Sequence, residues 1–114
     1  MSAVQVSSNT VEGASVIHLA GTLDGSSASI AQAAIGPQVE TGCRLVIDLS
    51  AVDYMSSAGL RLMLSIFRQV SGAGGKVAMT GLSEEIQDTM SLTGFLDFFT
   101  TADTLDGALL AVRA

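Results

Sequence analysis

The sequence predicts an α/β domain: a mixed, mostly parallel sheet with an N-terminal edge hairpin and helices packed over it. Three observations predict it. Segments alternate in the order β β α β α β α β α, the pattern of strands joined by helical crossovers. Arg44-Leu-Val-Ile-Asp-Leu49 is a near-continuous apolar run, as in strands covered on both faces. Immediately after it, Gly59 to Val70 places Leu60, Met63, Leu64, Phe67 and Val70 at steps of three and four, the clearest helical periodicity in the chain. A length of 114 residues suits one domain, taken as 1–114, with a core of its own.

Taken in order, Val4, Val6 and Val11 alternate weakly in a polar stretch, an edge strand that turns at Glu12-Gly13. Ser15 to Ala20 is a second strand, closed by the turn Gly21-Thr-Leu-Asp-Gly25. Ser26 to Glu40 is Ala-rich and helical, with Ile30, Ala34 and Val39 on one side. Gly36-Pro37 interrupts it, so the helix kinks there or restarts with Pro in its first turn. The strand from Arg44 runs into a short loop, and the next helix starts at Ser56-Ser57. Leu62 and Ile66 widen that helix's apolar face, and Gly72-Ala-Gly-Gly75 ends it. Lys76 to Thr80 is a strand, and Ser83-Glu-Glu opens a helix containing Ile86, Met90 and Leu92. Phe95 to Phe99 is the expected last strand. Asp103 caps a final helix with Leu105, Leu109, Leu110 and Val112.

Hydrophobic residues make up 48% and charged residues 14%, a composition that buries much of the chain. Five basic against 11 acidic residues give a formal charge of −6, and no basic cluster rises above it, which argues against nucleic acid as a partner. Neither a signal peptide nor an apolar run of the ~20 residues that a membrane span needs is present, so a soluble cytoplasmic protein without a membrane partner is expected. Cys43 is the lone cysteine and His18 the lone histidine. Neither finds a companion of its own type for a metal site, and both read as structural.

Three chemistries compete for the serine pair and its surroundings. A nucleophile elbow would need glycine where Met55 stands, and the only histidine is far upstream, which argues against serine hydrolysis. Asp24, Asp48 and Asp53 could gather at one end of the sheet, but nothing in their spacing fixes a carboxylate pair or a metal, and turn or cap roles are usual for aspartate there. The Gly72–Gly75 loop follows a helix and precedes a strand, the reverse of a dinucleotide fingerprint. What remains is a hydroxyl at the first turn of a helix, among unpaired amides at the positive end of the dipole. Such a hydroxyl suits a phosphate, whether bound or covalently accepted.

Val46-Ile-Asp-Leu-Ser50, Val52-Asp-Tyr-Met55 and Ser56-Ser-Ala-Gly-Leu60 follow one another in this central stretch. The stretch resembles the STAS-domain anti-sigma factor antagonists of bacteria, whose pattern is an apolar strand, D-L-S, a short loop, then D-S-[S/T]-G-L and an amphipathic helix. Gly21-Thr-Leu-Asp24, Gly74-Gly75 and Thr93-Gly-Phe95 resemble that family's flanking motifs, so nearly the whole chain is covered.

The resemblance implies a STAS-like fold and a regulatory protein, not an enzyme, that works by partner switching without a cofactor. Unphosphorylated, it would bind an anti-sigma serine/threonine kinase of the GHKL type and free that kinase's target. Phosphorylated, it would let go, and a PP2C-type phosphatase would reset it. Aligning on Gly59-Leu60 puts the accepting serine at Ser57, with Ser56 as the alternative. Asp24, Tyr54, Met55, Ser56, Ala58, Gly59 and Arg61 become the implied partner-binding residues. Two positions depart from the pattern: Ser56 stands where many members carry Asp, and Ala58 where many carry Ser or Thr. A structural STAS subunit, as in a lipid-transport ATPase, would use the serine only as a cap. Binding of a nucleotide or small ligand at the same sheet end is a third reading.

Overall fold

In the computed structural model, which describes residues 4–94, 96 and 99–113, the chain first doubles back at Glu12-Gly13. Both residues take positive φ, 51° and 84°, as in the tight turns whose twist matches paired strands. The turn joins β1 (Gln5–Val11) and β2 (Ala14–Leu23) into the expected antiparallel edge hairpin. After α1 (Ala28–Ile35) and a 3-10 turn (Gly36–Gln38) come β3 (Arg44–Met55), α2 (Ser57–Gly72) and β4 (Lys76–Thr80). The chain continues through α3 (Glu84–Leu92), β5 (Thr100–Ala102) and α4 (Leu105–Arg113). The sheet has five strands in the order β1-β2-β3-β4-β5, and every pair after the first is parallel. This is the predicted α/β architecture, with strands and helices in the predicted order.

Alternation along the strands sends side chains to two layers. On one face Ile17, Leu19, Leu45, Ile47, Leu49 and Met79 meet Ala31 and Ile35 of α1, Met63, Ile66 and Val70 of α2, and Ile86 and Met90 of α3. On the other, Ala14, Val16, Val46 and Ala78 lie under Ala108, Leu109 and Val112 of α4. The small residues of this second layer let α4 sit close to the sheet. α2 is therefore held along its length, with Leu60, Leu62, Met63, Ile66 and Val70 all buried. Leu64 and Phe67, also on the predicted apolar face, are half-buried.

Several expectations shift. β3 does not end in a loop after Leu49 but continues to Met55, because β2 also runs on to Leu23 and pairs with it through Ala20↔Ala51, Gly21↔Val52, Thr22↔Tyr54 and Leu23↔Met55. Breaks in register after His18 and Gly21 accompany that extension. α1 buries Ala31 and Ile35, one position along from the predicted face, and leaves Ile30 half exposed at 50%. An alanine-rich helix has little apolar contrast to fix its rotation in advance. Pro37 lies in the first turn of the 3-10 segment, the restart that the sequence allowed.

The expected strand at Phe95 to Phe99 is replaced by Thr100–Ala102. Phe95, Asp97 and Phe98 lie outside the described residues, while Leu96 and Phe99 pack on the main core and the Phe99 ring meets Phe67 edge-on at 5.7 Å. Thr104, not Asp103, caps α4: its hydroxyl accepts the Gly107 amide at 3.0 Å. Leu92 and Leu110 point to solvent. Leu92 ends α3, and Leu110 lies within α4 but off the face on which Ala108, Leu109 and Val112 are buried.

Candidate functional site

The serine pair sits where β2, β3 and α2 converge at the C-terminal end of the parallel strands. Met55 is buried at the end of β3, and the next amide, that of Ser56, donates to the Leu23 carbonyl at the end of β2 over 2.8 Å. This link fixes where the helix begins. Ser56 is extended, with φ −81° and ψ 178°. Its hydroxyl accepts the Gly59 amide at 3.5 Å, and its carbonyl accepts the Leu60 amide at 3.0 Å. Ser56 is therefore the N-cap, and Ser57 is the first helical residue.

The two hydroxyls are thus not equivalent. Ser56 is half-buried and engaged, though its capping bond is long. Ser57 is exposed, and its hydroxyl has no hydrogen-bond partner among the described residues. Ala58 is half-buried, and Gly59 is buried against both strand ends. A Cβ at position 59 would stand 2.7 Å from Met55 Cγ and 2.9 Å from the Leu23 carbonyl oxygen. Glycine is required because α2 starts too close to β2 and β3 for any side chain. Leu60, 4% exposed, anchors the first turn in the core.

Asp24 follows the residue that holds Ser56, so it lies at the same end of the sheet. Its carboxylate is turned to its own loop: Oδ1 accepts the hydroxyl of Ser26 at 2.7 Å and the amides of Ser26 and Ser27 at 2.9 and 3.1 Å. Those bonds, led by the Ser26 hydroxyl, hold the Asp24 carboxyl below its ordinary value. This is an aspartate shaping the turn into α1. Tyr54 is 53% exposed and lines a shallow recess of about 30 Å³ with Asp53, Met55, Glu85, Ile86 and Thr89. Arg61 is exposed one turn beyond Ser57. Among the partner-binding residues that the sequence suggested, Tyr54 and Arg61 are exposed and Ser56 and Ala58 partly so, whereas Met55 and Gly59 are buried at the start of α2.

Asp24, Asp48 and Asp53 do not converge. Asp53 accepts the Thr22 hydroxyl at 3.0 Å across the strands, and Asp48 lies mid-sheet, where its Oδ2 is 2.8 Å from His18 Nδ1 and its Oδ1 accepts the Ser50 amide at 2.9 Å. Burial raises the Asp48 carboxyl, but the Ser50 amide and hydroxyl and the neighbouring His18 outweigh it and leave the carboxyl below the usual range. No cluster of three metal-ligating side chains occurs among the described residues. The His18–Asp48 pair escaped the sequence because its members are 30 residues apart and only the parallel register of β2 and β3 joins them. Together with Gln5, Ser7 and Ser50 it lines a hollow of about 320 Å³ on the sheet face that α4 leaves open. No helix among the described residues is long and apolar enough to cross a membrane.

Comparison with known proteins gives consistent matches. The STAS domain profile matches residues 5–108. The anti-sigma-B factor antagonist of Bacillus subtilis is 30% identical over 93 residues, 82% of this chain and 85% of that one. The anti-sigma-F factor antagonist RsfB of Mycobacterium tuberculosis is 30% identical over 102 residues, 89% of this chain and 83% of its own. A solved structure of an anti-sigma factor antagonist from Mycobacterium paratuberculosis superposes with a TM-score of 0.88 at 30% identity, covering 98% of this chain and 96% of the other.

Proposed function

Because the chain belongs to the STAS-domain family of anti-sigma factor antagonists, we propose that it binds an anti-sigma factor and is switched off by phosphorylation at Ser57. One observation supports the choice of residue: Ser56 does the capping while the Ser57 hydroxyl stands exposed and unengaged on a helix start pinned by Leu23, Gly59 and Leu60. A rigid, solvent-facing hydroxyl is what a kinase needs to reach. The anti-sigma factor is taken to be a GHKL-type serine kinase. In the transfer, Ser57 Oγ receives the γ-phosphoryl group of ATP, its proton leaves to a base of the kinase, and ADP departs. A PP2C-type phosphatase hydrolyses the ester and restores the hydroxyl.

Charge explains the direction of the switch. The docking surface comprises Ser57, the Tyr54 ring and the Arg61 guanidinium, with the Asp24 turn beside them. Nothing in it requires refolding on modification, since a phosphate at the first turn of a helix is compatible with the free amides and the dipole there. Close to two negative charges would instead have to be desolvated when a partner packs onto this surface, and contact is lost.

The antagonist activity is testable by displacement. Adding the unphosphorylated chain to an anti-sigma factor loaded with labelled sigma factor is expected to release the label, read as a fall in fluorescence anisotropy. Chain carrying phosphoserine at position 57 is expected to leave the complex intact. Failure of both forms to release sigma factor, or equal release by both, contradicts the proposal.

A further inference from the structure

The chain carries Arg44, Arg61, Arg68, Lys76 and Arg113 as its basic residues. Four of them are far from Ser57 in the fold. Arg44 and Lys76 pair in register at the opposite end of the parallel strands. Arg113 reaches Glu12 of the hairpin turn at 3.5 Å, and Arg68 lies seven residues further along α2 than Arg61. Arg61 alone shares the site's end of the sheet.

Its position on the helix is favourable. Residues four apart lie on the same face with Cβ atoms about 5–6 Å apart, and helical side chains lean toward the N-terminus, so Arg61 inclines over the turn that begins with Ser57. An anion placed four residues before a cation is the stabilising orientation. Nothing else holds the guanidinium: α2 contains no Asp or Glu, and Arg61 makes no ion pair with a described residue. On the same helix face Ser65 is already engaged by Gln69 at 3.0 Å. With Arg44 at the far end of β3 and the His18–Asp48 pair mid-sheet, the charged groups of the neighbouring elements nearer this end are carboxylates, Asp24 after β2, Asp53 on β3, and Glu84, Glu85 and Asp88 on α3, and all of them repel a phosphate.

We propose that Arg61 is the intramolecular counter-ion of the phosphate on Ser57, which rests on the reading of Ser57 as the accepting residue. The pairing gives modification a double effect. A dianion is added to the docking surface, and the only cation of that surface is withdrawn from the partner at the same time. The guanidinium fork can meet two phosphate oxygens at once, so it holds the group back along α2 over its own first turn.

The test uses the full chain with phosphoserine installed at position 57 during translation, so no kinase is needed. Titration of the phosphate followed by phosphorus NMR should show its second ionisation displaced upward in Arg61→Gln by roughly a few tenths of a unit, because a nearby cation favours the dianion. Arg61→Lys is expected to recover most of the displacement, Arg68→Gln to leave the midpoint unchanged, and high salt to narrow the gap between the native chain and Arg61→Gln. Arg61 is exposed, so these variants fold. Identical midpoints in the native chain and Arg61→Gln, or an equal shift in Arg68→Gln, overturn the pairing. Failure of a kinase to modify Ser57 would overturn the proposed function without touching this measurement.

Discussion

Ser57→Asp is expected to bind the anti-sigma factor about tenfold or more weakly than the native chain while melting at the same temperature or slightly higher. The two effects have opposite signs for one reason. Within the monomer, a carboxylate at the first helical position meets the positive end of the α2 dipole, and no other acid occupies that first turn, a favourable placement of about 0.3–1 kcal/mol. In the complex, the same charge must lose its water against the partner, and each 1.4 kcal/mol of that cost is about a factor of ten in affinity. Phosphoserine, with nearly twice the charge, is expected to weaken binding further. Ser57→Ala removes the hydroxyl without adding charge and should retain affinity. Calorimetric titration of the three chains checks the order, and equal affinity for Ser57→Asp and Ser57→Ala contradicts a charge-based switch.

Gly59→Val is expected to cost about 3 kcal/mol or more of stability, a fall of roughly 10 °C or more in melting temperature for a chain of this size. An added Cβ already falls within 2.9 Å of the Leu23 carbonyl oxygen, a backbone atom whose neighbour in sequence is held by the Asp24 turn, and within 2.7 Å of buried Met55. Neither can retreat without moving a strand end. The gain in helix propensity over glycine, a fraction of 1 kcal/mol, does not offset this. Gly72, the last residue of the same helix, is the control: nothing lies within 4 Å of a Cβ there, so Gly72→Ala should be neutral or stabilising. Circular dichroism melts of both variants decide the matter. A neutral Gly59→Val would mean that α2 does not start as close to the strand ends as described.

The same glycine shows what could be read from the sequence. Periodicity from Leu60 to Val70 and the apolar run from Leu45 to Leu49 are local signals, and both elements are where they were predicted, as is the helix start at the serine pair, although which serine caps it was not legible. The reason for Gly59 is not local. It depends on Leu23, 36 positions earlier, arriving beside Met55 through the parallel pairing of β2 and β3. The second half of β3 was unreadable for the same cause: Ser50-Ala-Val-Asp-Tyr has the composition of a loop and becomes strand only because β2 extends alongside it. Ile30 misled because an Ala-rich helix looks similar from several sides, and the aromatic run before β5 because Phe99 serves the core against Phe67. Gly75 follows the Gly59 pattern, since a Cβ there would meet the Cys43 carbonyl at 2.5 Å, a contact between segments joined only through β3 and α2.

The division of labour between the two serines is the point on which the functional reading turns, and phosphosite mapping addresses it directly. The native chain, Ser56→Ala and Ser57→Ala would each be incubated with the anti-sigma kinase and ATP, digested, and mapped by mass spectrometry. A single phosphate on Ser57 in the native chain and in Ser56→Ala, absent from Ser57→Ala, is the predicted result. Modification that survives in Ser57→Ala and disappears in Ser56→Ala would contradict it, and would make the capping serine the switch.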